Sequence, residues 1–250
     1  MSTSTVDLHD AHGEPGGNTG HGDGHGPAHD PHHQHHFTTM EQQADTTKIG
    51  MWLFLVTEVL TFGGLFAGFG LMQNRYPQEF IEAHEHLQRP LGTLNTVVLL
   101  ISSFTMVMAV LCARTNQSKK TVRYLMLTIA CAFIFLGVKY FEYSHKYEEG
   151  LLPGNYYHTQ ATDTVKIINA AGQIVPSHGY ATFFSFYFMM TGLHGIHILA
   201  GIGLLTWIAI RANRGEFSNA FYTPVDLVGL FWHLVDLIWI YLFPLYYLIS

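Results

Sequence analysis

Apolar residues in this chain neither alternate with polar ones nor recur against a charged helix face. They collect into five long runs: Ile49 to Met72, Leu91 to Ala113, Thr121 to His145, Tyr180 to Ile210 and Leu227 to Ile249. Each run has at least 23 residues, and about 20 suffice for a helix to cross the hydrocarbon core of a bilayer. The pattern therefore predicts an all-α polytopic membrane protein with a five-helix transmembrane bundle. The fourth run, at about 1.5 Å rise per residue, would be roughly 46 Å long, so it must tilt or project beyond the bilayer.

Residues 1–47 are a different material. They hold nine of the seventeen histidines, are rich in Gly, Asp and Pro, and contain no apolar run. Such a segment cannot bury enough surface to offset its ordering, which predicts a disordered His/Gly-rich tail followed by one domain over residues 48–250. The tail has neither Lys nor Arg, so it is no secretory signal or transit peptide, and the first run must direct insertion. Its cluster of His32, His33, His35 and His36 reads as a solvated, pH-sensitive tail rather than a fixed metal site.

Composition and charge narrow the function. Charged residues make up only 12% of the chain, and the net charge is −6 with 12 basic residues, which excludes a nucleic-acid binder built on phosphate contacts. Cys112 and Cys131 both fall within apolar runs, leaving neither a disulfide framework nor a paired-cysteine metal knuckle. Lys48, Arg114, Lys119, Lys120, Arg123, Arg211 and Arg214 flank one side of the bundle and Arg75, Arg89, Lys146 and Lys166 the other. Seven against four predicts a cytoplasmic N-terminus. The longest connection, Lys146 to Gly179, contains the turn-rich LLPGNYYH and is expected to fold over the outer mouth of the bundle.

Five charges lie inside the runs: Glu58, Arg123, Lys139, Glu142 and Asp236. Glu58 is near the middle of the first run, where a charged side chain costs about 2.5 to 3.5 kcal/mol. It reads either as a proton-handling carboxyl or as a neutral side chain bonded to a neighbouring helix. Thr57, Thr61, Gly64 and Gly68 form an adjacent small-residue stripe that predicts close helix packing. Lys139 and Glu142, at i, i+3, predict an ion pair reaching toward the interface. His194 and His197 share that spacing, with Gly201 on the same face. No carboxylate or third histidine accompanies them on that run, which favours inter-helix hydrogen bonds over a metal. His233 and Asp236 in WHLVDLIW predict a mutually satisfying pair, and Asp226 suits the dipole at its helix start.

Five motifs in order resemble one family: KIGMWLFLVTEVLTFGGLFAGF, LNTVVLLISSFTM, KYFEYSHKYEEGLLPGN, FFSFYFMMTGLHGIHILAGI and DLVGLFWHLVDLIWIYLFPLYYLI. Together they are similar to subunit III of the haem–copper terminal oxidases, the cytochrome c oxidase subunit III family, in its short bacterial form. The resemblance covers roughly residues 48–250. Many members have seven helices, and this chain resembles the last five, with the tail replacing the first two. The resemblance implies a non-catalytic subunit of a proton-pumping oxygen reductase in a bacterial cytoplasmic membrane. It further implies haem and copper carried by subunits I and II, contact mainly with subunit I, bound phospholipid, and membership of a larger respiratory assembly. Glu58 matches the family's carbodiimide-reactive intramembrane carboxylate, whose subunit supports proton uptake and protects subunit I during turnover. Arg211 matches an arginine that contacts lipid head groups, while Glu142, His194, His197, His233 and Asp236 match motif positions with structural roles. The family's lipid cleft lies against the two missing helices, so lipid is expected at an open face or a subunit boundary. A stand-alone proton-coupled transporter using Glu58 is the alternative, though neither broken helices nor inverted repeats accompany it.

Overall fold

A computed structural model describes residues 40–85, 87–148, 167–168, 174–175, 178–217 and 221–247. Six helices order the chain: α1 Met40–Arg75, α2 Pro77–Glu85, α3 Arg89–Arg114, α4 Ser118–Glu148, α5 His178–Asn213 and α6 Thr223–Tyr247. All but α2 are long and apolar enough to cross a membrane, which gives the five predicted spans. The helices overrun most of the apolar runs, because backbone hydrogen bonding continues into the polar residues beyond the hydrocarbon. Residues 40–47, expected in the tail, are accordingly helical in α1. The remainder of that predicted tail lies outside the described residues, as does the LLPGNYYH stretch. Within the long connection, β1 Ile167–Ile168 and β2 Ile174–Val175 pair antiparallel.

From Ala44 onward the chain forms one unit. Helices α3, α4, α5 and α6 close a ring in which each packs on the next, and α6 returns to α3. Lipid tails are as apolar as leucine, so such a ring is held by close packing and inter-helix hydrogen bonds. Both appear. On α6, Trp232 Nε1 donates to Ser102 Oγ at 2.7 Å and Trp239 Nε1 to Thr96 Oγ1 at 3.1 Å, fixing it to α3. Thr105 and Thr128 hydroxyls meet at 2.8 Å between α3 and α4. A Cβ on Gly201 would lie 2.6 Å from Trp232 Cζ3, so α5 and α6 approach closely only because that position is glycine. The α3–α4 turn is tight, with Asn116 left-handed at φ 58° and Gln117 N donating to Cys112 O at 2.9 Å.

Helix α1 lies against α5 and α6 through a narrow seam. Leu55, Phe62 and Phe69, seven residues apart, are buried, whereas Trp52, Leu53, Leu60 and Leu71 are exposed. Phe69 packs on Phe183, Phe186 and Tyr246 with ring centroids 5.0 to 6.1 Å apart. The small-residue stripe does not make the predicted packing: Thr57, Thr61 and Gly64 are exposed, and only Gly68 meets another helix, at Phe186. Phe62 and Phe69 carry the seam instead, the first packed on His197 and the second on Phe183, Phe186 and Tyr246.

Helix α2 was not anticipated, since nine residues are too few for a span. Proline at its first position starts it, and Phe80 and Ala83 bury one face, with Leu87 buried just beyond its end. Glu79 accepts from Tyr180 N at 3.1 Å, a carboxylate capping the start of α5. His84 Nδ1 donates to Ile81 O at 2.5 Å, while its Nε2 accepts from Arg89 Nη2 at 2.9 Å.

Candidate functional site

Glu58 on α1 and His197 on α5, 139 residues apart in sequence, meet across the seam at 2.8 Å between Oε2 and Nε2. The opposite ring nitrogen, Nδ1, lies 2.8 Å from Leu193 O. A carbonyl oxygen only accepts, so Nδ1 carries a hydrogen and donates. Nε2 then faces the carboxyl with one proton between them. That proton resides on Glu58, leaving a neutral imidazole, or on His197, leaving an imidazolium beside a carboxylate. In either placement the pair is neutral overall, which removes the penalty of a lone charge at membrane depth.

The surroundings hold this geometry while leaving it open. His197 packs edge-on against Phe62 at 5.6 Å and tilted against Phe231 at 6.4 Å, and Phe54 contacts Phe231 at 6.0 Å. The two polar side chains nevertheless remain 18% and 16% exposed, so a small reagent or a water can reach them from outside the ring.

A second cluster sits near the loop end of the ring. Lys139 Nζ donates to Glu142 Oε2 at 2.8 Å, and Glu142 Oε1 accepts from Tyr187 OH at 2.8 Å and Tyr247 OH at 2.5 Å. Lys139 also lies 4.7 Å from the Trp239 ring centroid. The predicted ion pair exists, but its side chains do not reach toward the interface: they are 9% and 2% exposed. Three hydroxyl and amine donors on α4, α5 and α6 converge on one carboxylate and tie those helices together. Tyr187 and Tyr247 were missed because their partners are 45 and 105 residues away.

The other sequence candidates separate. His194 is fully buried between Phe135 and Trp239, with centroids 5.5 and 5.3 Å away, and neither ring nitrogen has a hydrogen-bond partner among the described residues. It therefore makes no inter-helix hydrogen bond, because aromatic faces surround it. His233 does not pair with Asp236: its Nδ1 lies 2.8 Å from Ser103 Oγ on α3, which is closer to hand than a side chain one turn along the same helix. Asp236 is buried beside the Ser103 hydroxyl that also meets His233. Arg211 Nε donates to Glu216 Oε2 at 2.6 Å, and its guanidinium stacks on Trp207 at 4.9 Å. Gly215, left-handed at φ 74°, turns the chain so that Glu216 comes back to it. Asp226 bonds Arg114 Nη2 at 2.9 Å, joining the start of α6 to the end of α3. Among the described residues no three His, Cys, Asp or Glu converge as a metal ligand set.

A family model described as cytochrome c oxidase subunit III matches residues 30–171 and 157–250. The chain belongs to the cytochrome c oxidase subunit III family. Individual relatives agree with that membership. A protein named probable quinol oxidase subunit 3 from Staphylococcus haemolyticus is 28% identical over 210 residues, covering 83% of this chain and 91% of the relative. One named cytochrome c oxidase subunit 3, from Thermostichus vulcanus, is 27% identical over 212 residues, covering 84% and 90%. A further probable quinol oxidase subunit 3, from Staphylococcus saprophyticus, is 26% identical over 221 residues, covering 86% and 96%. Membership in the subunit III family makes the chain an integral membrane subunit of a haem–copper oxidase complex in aerobic respiration.

Proposed function

We propose that this subunit III carries no catalytic centre and acts on its neighbours, supporting proton uptake and protecting catalytic subunit I during electron transfer to oxygen. The observation that supports this reading is the Glu58–His197 contact, 2.8 Å long between α1 and α5, whose two side chains remain partly exposed on the outside of the ring. A purely structural bond at this position would be expected inside the ring, as the Glu142 cluster is. Haem and copper belong to subunits I and II in this reading, and the electron donor, cytochrome c or quinol, is selected there. The complex sits in a bacterial cytoplasmic membrane with the N-terminus of this chain in the cytoplasm. Phospholipid head groups meet Arg211, whose side chain is 20% exposed at the end of α5 beside its bond to Glu216.

Mild-detergent affinity purification of this chain, with an optical spectrum and mass spectrometry of what accompanies it, tests the reading. Haem absorbance and a large partner with many spans are expected. A colourless chain recovered alone, under conditions that preserve membrane complexes, contradicts it.

A further inference from the structure

Two side chains inside the ring stand without partners. Asn95 on α3 and His194 on α5 are both 0% exposed, and none of their side-chain nitrogen and oxygen atoms has a hydrogen-bond partner among the described residues. Other polar groups of the interior are bonded: Trp232 reaches Ser102, Thr105 meets Thr128, and Glu142 gathers Lys139, Tyr187 and Tyr247. Buried polar groups are nearly always bonded to protein or to ordered water, because an unmade bond is costly where the dielectric is low.

The two lie at one level of the bundle. His194 packs on Trp239 with centroids 5.3 Å apart, and Trp239 Nε1 donates to Thr96 Oγ1, the neighbour of Asn95 in α3. The Thr105–Thr128 contact sets the register of antiparallel α3 and α4, so Asn95 is level with Val138, equally far from that contact. Val138 adjoins Lys139, whose ammonium lies 4.7 Å from the centroid of the same Trp239 ring. Each helix of the ring therefore places a polar side chain in this layer, and α3 and α5 stand on opposite sides of it.

The chemistry of the pair names what joins them. A carboxamide both donates and accepts, and a neutral imidazole offers one donor and one acceptor. Asn95 and His194 do not bond each other, so a ligand between them must span more than one hydrogen bond. A metal ion does not fit: among the described residues no three His, Cys, Asp or Glu converge, and the Lys139 charge repels a cation in this layer. An acyl chain supplies neither donor nor acceptor. Water supplies both, and buried waters make about three hydrogen bonds to groups otherwise unsatisfied. Trp239 is tilted 34° to the imidazole and does not compete for the ring nitrogens, which lie in the plane of the ring.

We propose that the interior of the ring binds ordered water between Asn95 and His194, a bridge that joins α3 to α5 across the bundle. The bridge is as favourable in enthalpy as a direct bond and gives His194 its partner on another helix.

Two measurements on the assembled oxidase test the bridge. In an electron cryo-microscopy map sharp enough to show ordered water, density is expected within about 2.7 to 3.2 Å of a side-chain atom of Asn95 and of a ring nitrogen of His194. Well-ordered side chains with nothing between them, a direct bond from either to another side chain, or a peak with the ligand count of a metal overturns the proposal. Solid-state NMR with ¹⁵N-labelled histidine supplies the second readout. Magnetisation from water protons should reach the His194 ring nitrogens and should be lost in Asn95→Leu. Absence of that transfer in the parent, or transfer unchanged in Asn95→Leu, overturns the bridge. If Asn95→Leu does not assemble, the parent map and spectrum decide alone. Neither result depends on how this subunit serves its neighbours.

Discussion

Replacing Glu142 by leucine removes an acceptor that three donors share. Lys139 Nζ and the hydroxyls of Tyr187 and Tyr247 reach its carboxylate at 2.8, 2.8 and 2.5 Å, and the Glu142 side chain is 2% exposed. Breaking a buried ion pair by removing one partner costs about 3 to 5 kcal/mol, and hydrogen bonds to a charged group contribute about 1.5 to 3 kcal/mol each. These terms overlap. Lys139 Nζ also lies 3.2 and 3.1 Å from the two tyrosine hydroxyls, so part of the network survives around the lysine. The expected loss is therefore about 4 kcal/mol, within the range for an uncompensated buried charge. Adding Lys139→Met to Glu142→Leu removes the orphaned charge, and the double variant should recover at least about half of that loss, since apolar replacement of a buried pair is often neutral. Unfolding by dodecyl sulfate in mixed micelles, followed by circular dichroism, measures both variants. A loss below about 1 kcal/mol for Glu142→Leu would refute the reasoning, because such a value belongs to a solvated surface pair. A double variant no more stable than Glu142→Leu would refute it too.

Two further outcomes follow from the α1–α5 seam and the ring. Glu58→Gln keeps an N–H donor for His197 Nε2 while removing the exchangeable proton, so assembly should be nearly intact and carbodiimide labelling should fall to background; unchanged labelling of the chain would contradict the assignment to Glu58. Gly201→Ala drives a methyl to 2.6 Å from Trp232 Cζ3, and Trp232 is pinned through its bond to Ser102. Unfolding in dodecyl sulfate should show a loss of about 1 to 3 kcal/mol from overpacking, and a neutral result would mean that α5 and α6 slide apart freely.

Length and apolarity alone made the five spans legible, because a helix that crosses a bilayer needs a run that nothing else in a globular chain requires. The same rule hid α2, whose nine residues are amphipathic and anchor by Phe80 and Ala83. Intramembrane charge pointed to Glu58, Lys139, Glu142 and Asp236 one at a time. Their partners were legible only where they lay one turn away, as for Lys139 and Glu142. Glu58 and His197 were each singled out, yet their meeting depends on how α1 lies across α5, which spacing along one helix does not encode. The His233–Asp236 expectation failed for the matching reason: Ser103 on α3 competes for the imidazole, and a hydroxyl on a neighbouring helix leaves no trace in the WHLVD motif. The histidines at 194 and 197 point to different neighbours because i, i+3 spacing rotates one from the other by about 60° around the helix. His194 thereby enters the ring interior, and His197 reaches α1.

The central claim, that this subunit serves the turnover of its catalytic partner rather than performing chemistry itself, meets its most direct test in the purified oxidase. Oxygen consumption is followed to exhaustion in the complete complex, in complex stripped of this chain by detergent, and in stripped complex to which the chain has been returned. The stripped complex should begin at nearly the parent rate, inactivate after far fewer turnovers, and regain its lifetime when the chain is restored. An unchanged lifetime without the chain, or an immediate loss of all oxygen reduction, would contradict it.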